Sequence, residues 1–565
     1  MPCDALPVVL LCGLVIAVLA LAVAYAMAAQ QARWDREDDN TADASLARVD
    51  ASVAAKVRYP QGFLWGVATA PIQNEGHNPW TTWSQWAATD RVADAPLQTC
   101  NAWKTFESVD VPAAAWLGCN AFRLGVDWGR VEPQEGKFNH TALRRYRGML
   151  LALREAGMEP VLTLCHFALP NWAPGWEAGE AMAARFGRFV RVVLQHMGDL
   201  VRWFITLNEP QIDAVNTHLR GERWPGKTCV WATVRAMRGM WLAHNEAARA
   251  IRAAVPDAHI SIAKNYVLAR PASTRNPADL AMAALVDAIY NNHFIKACVS
   301  GHFSLLGYTA KGDAGSLTFL GLNHYNHVSV HGLSADVRME SGAPEGLSFR
   351  APAMGWEMRP ASLFTAVSEA WERFGLPILV TEAGTADGHD THRPDFVARQ
   401  LYGLANASAA GVPVLGYMHW TLLDSWEWCE GYAARFGMFA SNFEALRAAR
   451  AQGQSGAWMR ANCFTPRRTA HEFRRIAHTA RGVTLDTELE PAWEASTEEA
   501  VSQDAVGHEQ DTDSEIAGRK GDARLLAGRG IGRRYAAHKR AASRLHHEPA
   551  RATRPDGHES ATAVA

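Results

Sequence analysis

The sequence predicts an α/β protein centred on a (β/α)8 barrel, preceded by an N-terminal transmembrane helix and followed by a disordered tail. Three observations carry that prediction. Between Tyr59 and about Ala480, eight short apolar runs alternate with amphipathic helical patterns. Ahead of them, the 23 residues from Pro7 to Ala29 hold no charge. Beyond residue 480 the large apolar residues thin out and charge takes over. The expected parts are a short leading segment (1–6), a span (7–29), a linker (30–58), the barrel (59–480) and the tail (481–565).

The first long element, PVVLLCGLVIAVLALAVAYAMAA, is long enough to cross a bilayer, whose core takes roughly 20 apolar residues of helix. The alternative is a cleaved signal peptide, with Ala26-Met27-Ala28 as the cleavage site. Residues 1–6, MPCDAL, hold no Lys or Arg, and the run exceeds the ~7–15 residues of a signal's apolar core, so the uncleaved anchor is the expectation. Arg33 and Arg36 favour a cytosolic C-terminal side, with Glu37, Asp38 and Asp39 blurring that bias. The linker that follows is polar and alanine-rich.

The apolar runs are FLWGVA (63–68), AFRLG (121–125), PVLTL (160–164), WFITL (203–207), ISIAK (260–264), LTFLGL (317–322), ILVT (378–381) and PVLGYMHW (413–420). Between them lie helical patterns such as TALRRYRGMLLALREAG (141–157) and ASLFTAVSEAWERFG (361–375), each ended by a glycine. Eight strand-like runs with helices between them fit a closed barrel better than an open sheet. The tail is first acidic and then studded with Arg and Lys, too poor in apolar residues to hold a core.

With 565 residues, 48% of them apolar, and a net charge of −2, the chain can bury a large core and gives no charge argument for nucleic acid as a partner. Nine cysteines without a CxxC fit reduced, buried thiols, neither a disulfide framework nor a zinc pattern, and no cofactor or metal is expected. Twenty-one tryptophans are many. Core packing accounts for most, and flat rings also serve as platforms for sugars.

Two of the runs stop in an unusual way. WFITL runs into Asn208, Glu209 and Pro210, and ILVT runs into Glu382. A core strand gains nothing from an ionised glutamate, because desolvating the charge costs more than its burial returns. One such strand end fits a solvated edge. Two of them, after the fourth and seventh strands of a barrel whose C-terminal strand ends converge on one mouth, fit a paired-carboxylate enzyme.

From Tyr59 to about Ala480 the chain resembles glycoside hydrolase family 1. The resemblance rests on seven segments in register: FLWGVATAPIQNEG (63–76), FRLGVDWGRVEPQEG (122–136), LTLCHFALPNW (162–172), TLNEP (206–210), GLNHY (321–325), VTEAG (380–384) and WTLLDSWEWCEGY (420–432). It implies a retaining β-glycosidase with Glu209 as acid/base and Glu382 as nucleophile, their carboxyls about 5–5.5 Å apart. An ionised Glu382 close by would favour the protonated form of Glu209. Arg123 matches the arginine that holds the nucleophile ionised, and Tyr325 the tyrosine that hydrogen-bonds it. Gln73, His166, Asn208, Glu427 and Trp428 match the hydroxyl-binding set, and Trp420 the ring beneath the pyranose. Asn323 is either part of that set or a polar strand cap.

Three departures bear on sugar preference: Ala383 where the family has asparagine, Phe167 where it has an indole, and His324 in NHY. FRLGVDWGRVEP, HFALPNWA, RWPG (223–226) and GVPVLGYMHWTLLDSWEW further resemble the galactolipid:galactolipid galactosyltransferase branch of plant chloroplast envelopes, whose members carry an N-terminal anchor. That branch implies galactose transfer between galactolipids at a membrane such as the chloroplast outer envelope. QNEG (73–76) instead follows the ordinary hydrolases, leaving a β-glucosidase or β-galactosidase, membrane-bound or secreted, as the alternative. A sugar-binding protein without activity fits poorly, because both glutamates are present.

Overall fold

The computed structural model describes residues 49–483, apart from 77, 90, 95–98, 333–335, 339–348 and 351–352. The span expected at 7–29 lies outside the described residues, as does the expected tail from 484 onward. Among the described residues no helix is long and apolar enough to cross a membrane.

Each of the eight apolar runs forms a barrel strand. We number them β1 (Leu64–Ala68), β2 (Ala121–Gly125), β3 (Glu159–Thr163), β4 (Trp203–Asn208), β5 (His259–Asn265), β6 (Leu320–Asn323), β7 (Ile378–Ala383) and β8 (Val414–Trp420). Every strand pairs in parallel with its chain neighbour, and β8 closes on β1 from Leu64↔Gly416 to Ala68↔Trp420. Side-chain alternation divides each strand between two environments. Ala68, Ala121, Val161, Ile205, Ala263, Leu379 and Met418 pack together in one cluster. Val67, Phe122, Leu162, Phe204, Ile260, Ile262, Val380 and Tyr417 join the larger cluster shared with the surrounding helices. The first cluster fills a narrow barrel: a Cβ on Gly66 would lie 2.2 Å from Met418 Sδ and 2.8 Å from the Ala121 carbonyl oxygen.

The helices follow their patterns. His140–Glu155 is capped by Asn139, whose side chain accepts from the Ala142 amide at 3.0 Å, and it buries Leu143, Tyr146, Leu150 and Leu153. Ser362–Phe374 buries Leu363, Ala366, Val367 and Ala370. Both end at the expected glycine, Gly157 (φ 72°) and Gly375 (φ 62°), in the left-handed conformation that only glycine adopts cheaply.

The packed body starts earlier in the chain than Tyr59. A short helix, Ala51–Ala54, is capped by Asp50, and Val49, Ala51, Ala54 and Ala55 are buried in the main core. Of the seven described cysteines, all free, five are buried, Cys229 is exposed and Cys429 is half-buried.

Candidate active site

The apolar run of β4 ends because the backbone turns. Glu209 sits at φ 43°, a left-handed conformation that costs a non-glycine residue about 1–2 kcal/mol and is often found at functional sites. Its amide donates to the Ala263 carbonyl of β5 at 2.7 Å, and Pro210 opens the helix Pro210–Ala214. Glu382 instead stays within β7, opposite Asn323 of β6. Both glutamates are nearly buried, at 7% and 3% exposure, which a merely solvated strand end would not be.

Different donors hold them. Arg123, fully buried at the middle of β2, donates from Nη1 to Glu382 Oε1 at 2.5 Å and from Nη2 to Asn208 Oδ1 at 2.8 Å. Its Nε donates to Thr163 Oγ1 at 3.0 Å, so the guanidinium fork is locked on three sides. Tyr325 OH donates to the other oxygen, Glu382 Oε2, at 2.6 Å. Among the described residues Glu209 receives only neutral amides: Asn323 Nδ2 at 2.9 Å and Asn265 Nδ2 at 3.0 Å, both on Oε1. Thr381 Oγ1 donates to Asn323 Oδ1 at 2.7 Å and fixes which end of that amide faces the glutamate. Asn323 Nδ2 also reaches Asn208 Oδ1 at 3.2 Å, so one hydrogen-bonded network joins the two carboxylates.

Burial pushes the Glu382 carboxyl up to about 7, the Arg123 guanidinium and the Tyr325 hydroxyl pull it back, and the charge of Glu209 adds to the rise. Burial likewise raises the Glu427 carboxyl well above the usual range, against the indole N–H of Trp420 that donates to it at 3.2 Å. The His166 ring is held neutral by burial and by the positive charges of Arg123 and Arg223. Asn208 Nδ2 lies 3.0 Å from His166 Nε2.

A wall of rings stands beside these groups. His166 stacks on Trp420 at 5.8 Å and on Trp428 at 6.0 Å, with interplanar angles of 30° and 20°. Trp83 packs on Trp428 at 4.6 Å. Gln73 Nε2 donates to the Trp426 carbonyl at 2.7 Å, while its Oε1 is buried without a partner among the described residues. The expected site residues Gln73, Arg123, His166, Asn208, Glu209, Asn323, Tyr325, Glu382, Trp420, Glu427 and Trp428 thus connect through shared partners drawn from the barrel strands and the segments that follow them.

Two of the three departures leave the pocket furnished. Phe167 takes up ring packing at 5.1 Å from both His166 and Trp428. His324 is bound from behind: Nδ1 lies 2.7 Å from the Tyr266 carbonyl and Nε2 lies 2.7 Å from Ser362 Oγ. Ala383 is fully buried.

Sequence reasoning missed Asn265, Tyr290 and the threonines. Asn265 ends β5 with an apolar run giving way to a polar residue, as at β4, and that signal was readable. Tyr290, whose hydroxyl donates to Asn265 Oδ1 at 2.7 Å, lies in a helical segment with no such marker.

Paired buried carboxylates at a barrel mouth, one gripped by arginine and tyrosine and both beside stacked rings, define an enzyme of the sugar-cleaving barrel class. The chain belongs to glycosyl hydrolase family 1, whose sequence profile matches residues 55–463. Beta-glucosidase A of Thermotoga maritima is 30% identical over 445 residues, covering 71% of this chain and 96% of that protein. Galactolipid galactosyltransferase SFR2 of Arabidopsis thaliana is 32% identical over 360 residues, covering 59% of this chain and 53% of that protein. Among solved structures, the beta-glycosidase from Pyrococcus horikoshii superposes with a TM-score of 0.67 at 26% identity, over 75% of this chain and 96% of that one. The family 1 beta-glucosidase from Thermotoga maritima gives 0.66 at 26% identity, over 75% and 99%.

Proposed function

We propose that the protein is a retaining β-glycosidase in which Glu382 is the nucleophile and Glu209 the acid/base. The observation that carries this reading is the asymmetry of the pair: Glu382 is gripped by a guanidinium and a phenol, whereas the donors to Glu209 among the described residues are two amides. A nucleophile must ionise and keep one orientation; Arg123 and Tyr325 favour the ionised form of Glu382 and fix how it points. An acid/base must gain and lose a proton, and neutral amides tolerate either state. In the first step a Glu382 oxygen bonds to the anomeric carbon as the glycosidic C–O bond breaks, and the leaving oxygen takes the proton of Glu209. In the second, Glu209 removes the proton of an incoming hydroxyl, whose oxygen bonds to the same carbon and releases the Glu382 carboxylate. Asn208 and His166 would meet sugar hydroxyls, Gln73 and Glu427 would hold others, and Trp420 and Trp428 would lie against the ring.

The incoming hydroxyl defines the outcome. A galactolipid hydroxyl gives galactosyl transfer between lipids. The resemblance of RWPG and its companion segments, together with the 32% identical galactosyltransferase, supports this reading. Water gives hydrolysis, supported by the bacterial beta-glucosidases matched over nearly their whole length. Transfer is our first reading, with residues 7–29 as a membrane anchor that keeps the barrel near lipid. Incubation of the full chain with monogalactosyl lipid tests it: oligogalactolipids mean transfer, free galactose alone means hydrolysis, and neither rejects galactolipid as the substrate.

A further inference from the structure

We propose that Arg223 is a sugar-binding residue of the candidate site, whose guanidinium donates to a hydroxyl oxygen of the bound glycoside from the ring wall beside Phe167. The inference rests on the reading of this site as that of a β-glycosidase.

Arg223 lies on the segment between the helices Pro210–Ala214 and Val230–Ala254. Its guanidinium carbon stands 5.0 Å from the centre of the Phe167 ring, 5.5 Å from that of Trp83 and 5.6 Å from that of Trp428. Trp428 is also the ring on which His166 stacks, so the cation belongs to the same wall as the expected sugar contacts. The main chain fixes it there. The Arg223 amide donates to the Asn216 carbonyl at 3.2 Å, and the Gly226 amide donates to the Arg223 carbonyl at 2.7 Å. The Trp86 indole N–H holds the neighbouring Glu222 carbonyl at 3.2 Å. Phe167, the ring nearest the guanidinium, stands where the family has an indole and brings no N–H to this wall.

The guanidinium is half-buried, yet its side chain forms no ion pair or hydrogen bond among the described residues. Its Nη1 is buried without a partner there, and a buried donor without an acceptor is costly. Two more atoms near the same rings share that state, Gln73 Oε1 and His166 Nδ1. Folded proteins leave few such atoms, and three around one wall call for a ligand that carries both donors and acceptors. Hydroxyl groups supply both, and the ring faces suit the C–H face of a pyranose. An anion fits less well. Glu209, Glu382 and Glu427 are buried in the same site, and the charge of Arg223 also reaches Asp213 and Glu430. A site so rich in carboxyl groups favours a neutral hydroxyl as the partner of the guanidinium.

The test is kcat and KM of the full chain on a nitrophenyl β-galactoside and β-glucoside and on their monodeoxy forms. Arg223→Met keeps an apolar stem against the rings and is expected to lower kcat/KM on the parent sugars by about tenfold or more. On one deoxy form, the one lacking the hydroxyl that Arg223 binds, the same substitution is expected to change little. Arg223→Lys, which keeps the charge without the fork, is expected to recover part of the loss. Arg223→Gln reads the same comparison should the methionine variant fail to fold. An equal loss on the parent sugars and on every deoxy form is what a merely structural role gives, and it overturns the proposal. So does a preference for a glycoside whose primary alcohol is oxidised to a carboxylate, if Arg223→Met abolishes it, since the partner would then be an anion. Unimpaired cleavage by the variants rejects Arg223 alone, whereas an unmutated chain that cleaves none of these glycosides rejects the glycosidase reading and the proposal with it.

Discussion

The two glutamates share one network but not one environment, and each environment makes a separate prediction. Glu382→Ala is expected to abolish cleavage. Added azide or formate should restore turnover with inverted product, because the anion takes the place of the missing oxygen. Glu209→Ala is expected to keep measurable activity on glycosides with activated aryl leaving groups, which need little protonation. Identical behaviour of the two variants on an activated substrate would reject the division of roles. Acid sensitivity belongs to this scale as well. Attack needs ionised Glu382, whose carboxyl burial pushes up to about 7, so kcat/KM is expected to rise with pH through that region. Arg123→Gln removes the cation that opposes the rise, and the acid limb should move to higher pH. A limb that stays put would mean that another group controls it.

Elements explain why so much was legible. Each of the eight runs became a strand because β-branched, aromatic and leucine residues bury both faces of a barrel strand, and that composition shows in the chain. The catalytic pair was legible for the opposite reason, since Glu209 and Glu382 break an apolar rule that their strands otherwise obey. Asn323 was ambiguous because its partner, Glu209, lies 114 residues away and only the closed barrel brings them together. Lys264 was read simply as the end of an apolar run, and the Tyr290 ring that lies 4.4 Å from its ammonium comes from a later helical segment. The early helix Ala51–Ala54 was hidden by its alanine-rich sequence, which looks like a linker until the residues it packs against are known. Close backbone approach is equally silent in sequence. In the helix Val230–Ala254, a Cβ on Gly239 would lie 1.8 Å from the Trp176 carbonyl oxygen. Gly239→Ala therefore forces helix and loop apart, in spite of alanine's better helix propensity, with an expected loss of about 1–3 kcal/mol in denaturant unfolding. A gain in stability would show that the loop yields freely.

For the whole molecule, the open matter is what the barrel needs from the chain ahead of it. The helix Ala51–Ala54 packs against the helices Arg393–Ala409 and Arg468–Ala480. Val49, Ala51, Ala54 and Ala55 are buried there. A chain beginning at Lys56 loses these contacts and is expected to be less stable by about 2–4 kcal/mol, whereas one beginning at Val49 keeps them and should unfold at the same temperature as the full chain. This separates folding from anchoring. Pro7 to Ala29 is uncharged and long enough to span, so the full chain is expected to stay in the membrane fraction after alkaline carbonate washing, and the chain from Val49 to be released. Cleavage of small aryl β-glycosides should survive the truncation, because every candidate site residue lies between Gln73 and Trp428. Transfer to galactolipid in vesicles should fall more steeply, since the anchor would raise the local concentration of lipid acceptor at the barrel mouth. Equal losses in both assays would remove the anchor from the transfer reaction. A mature protein beginning near Ala29 in a secreted fraction would replace the anchor with a signal peptide, and the transferase with a secreted hydrolase.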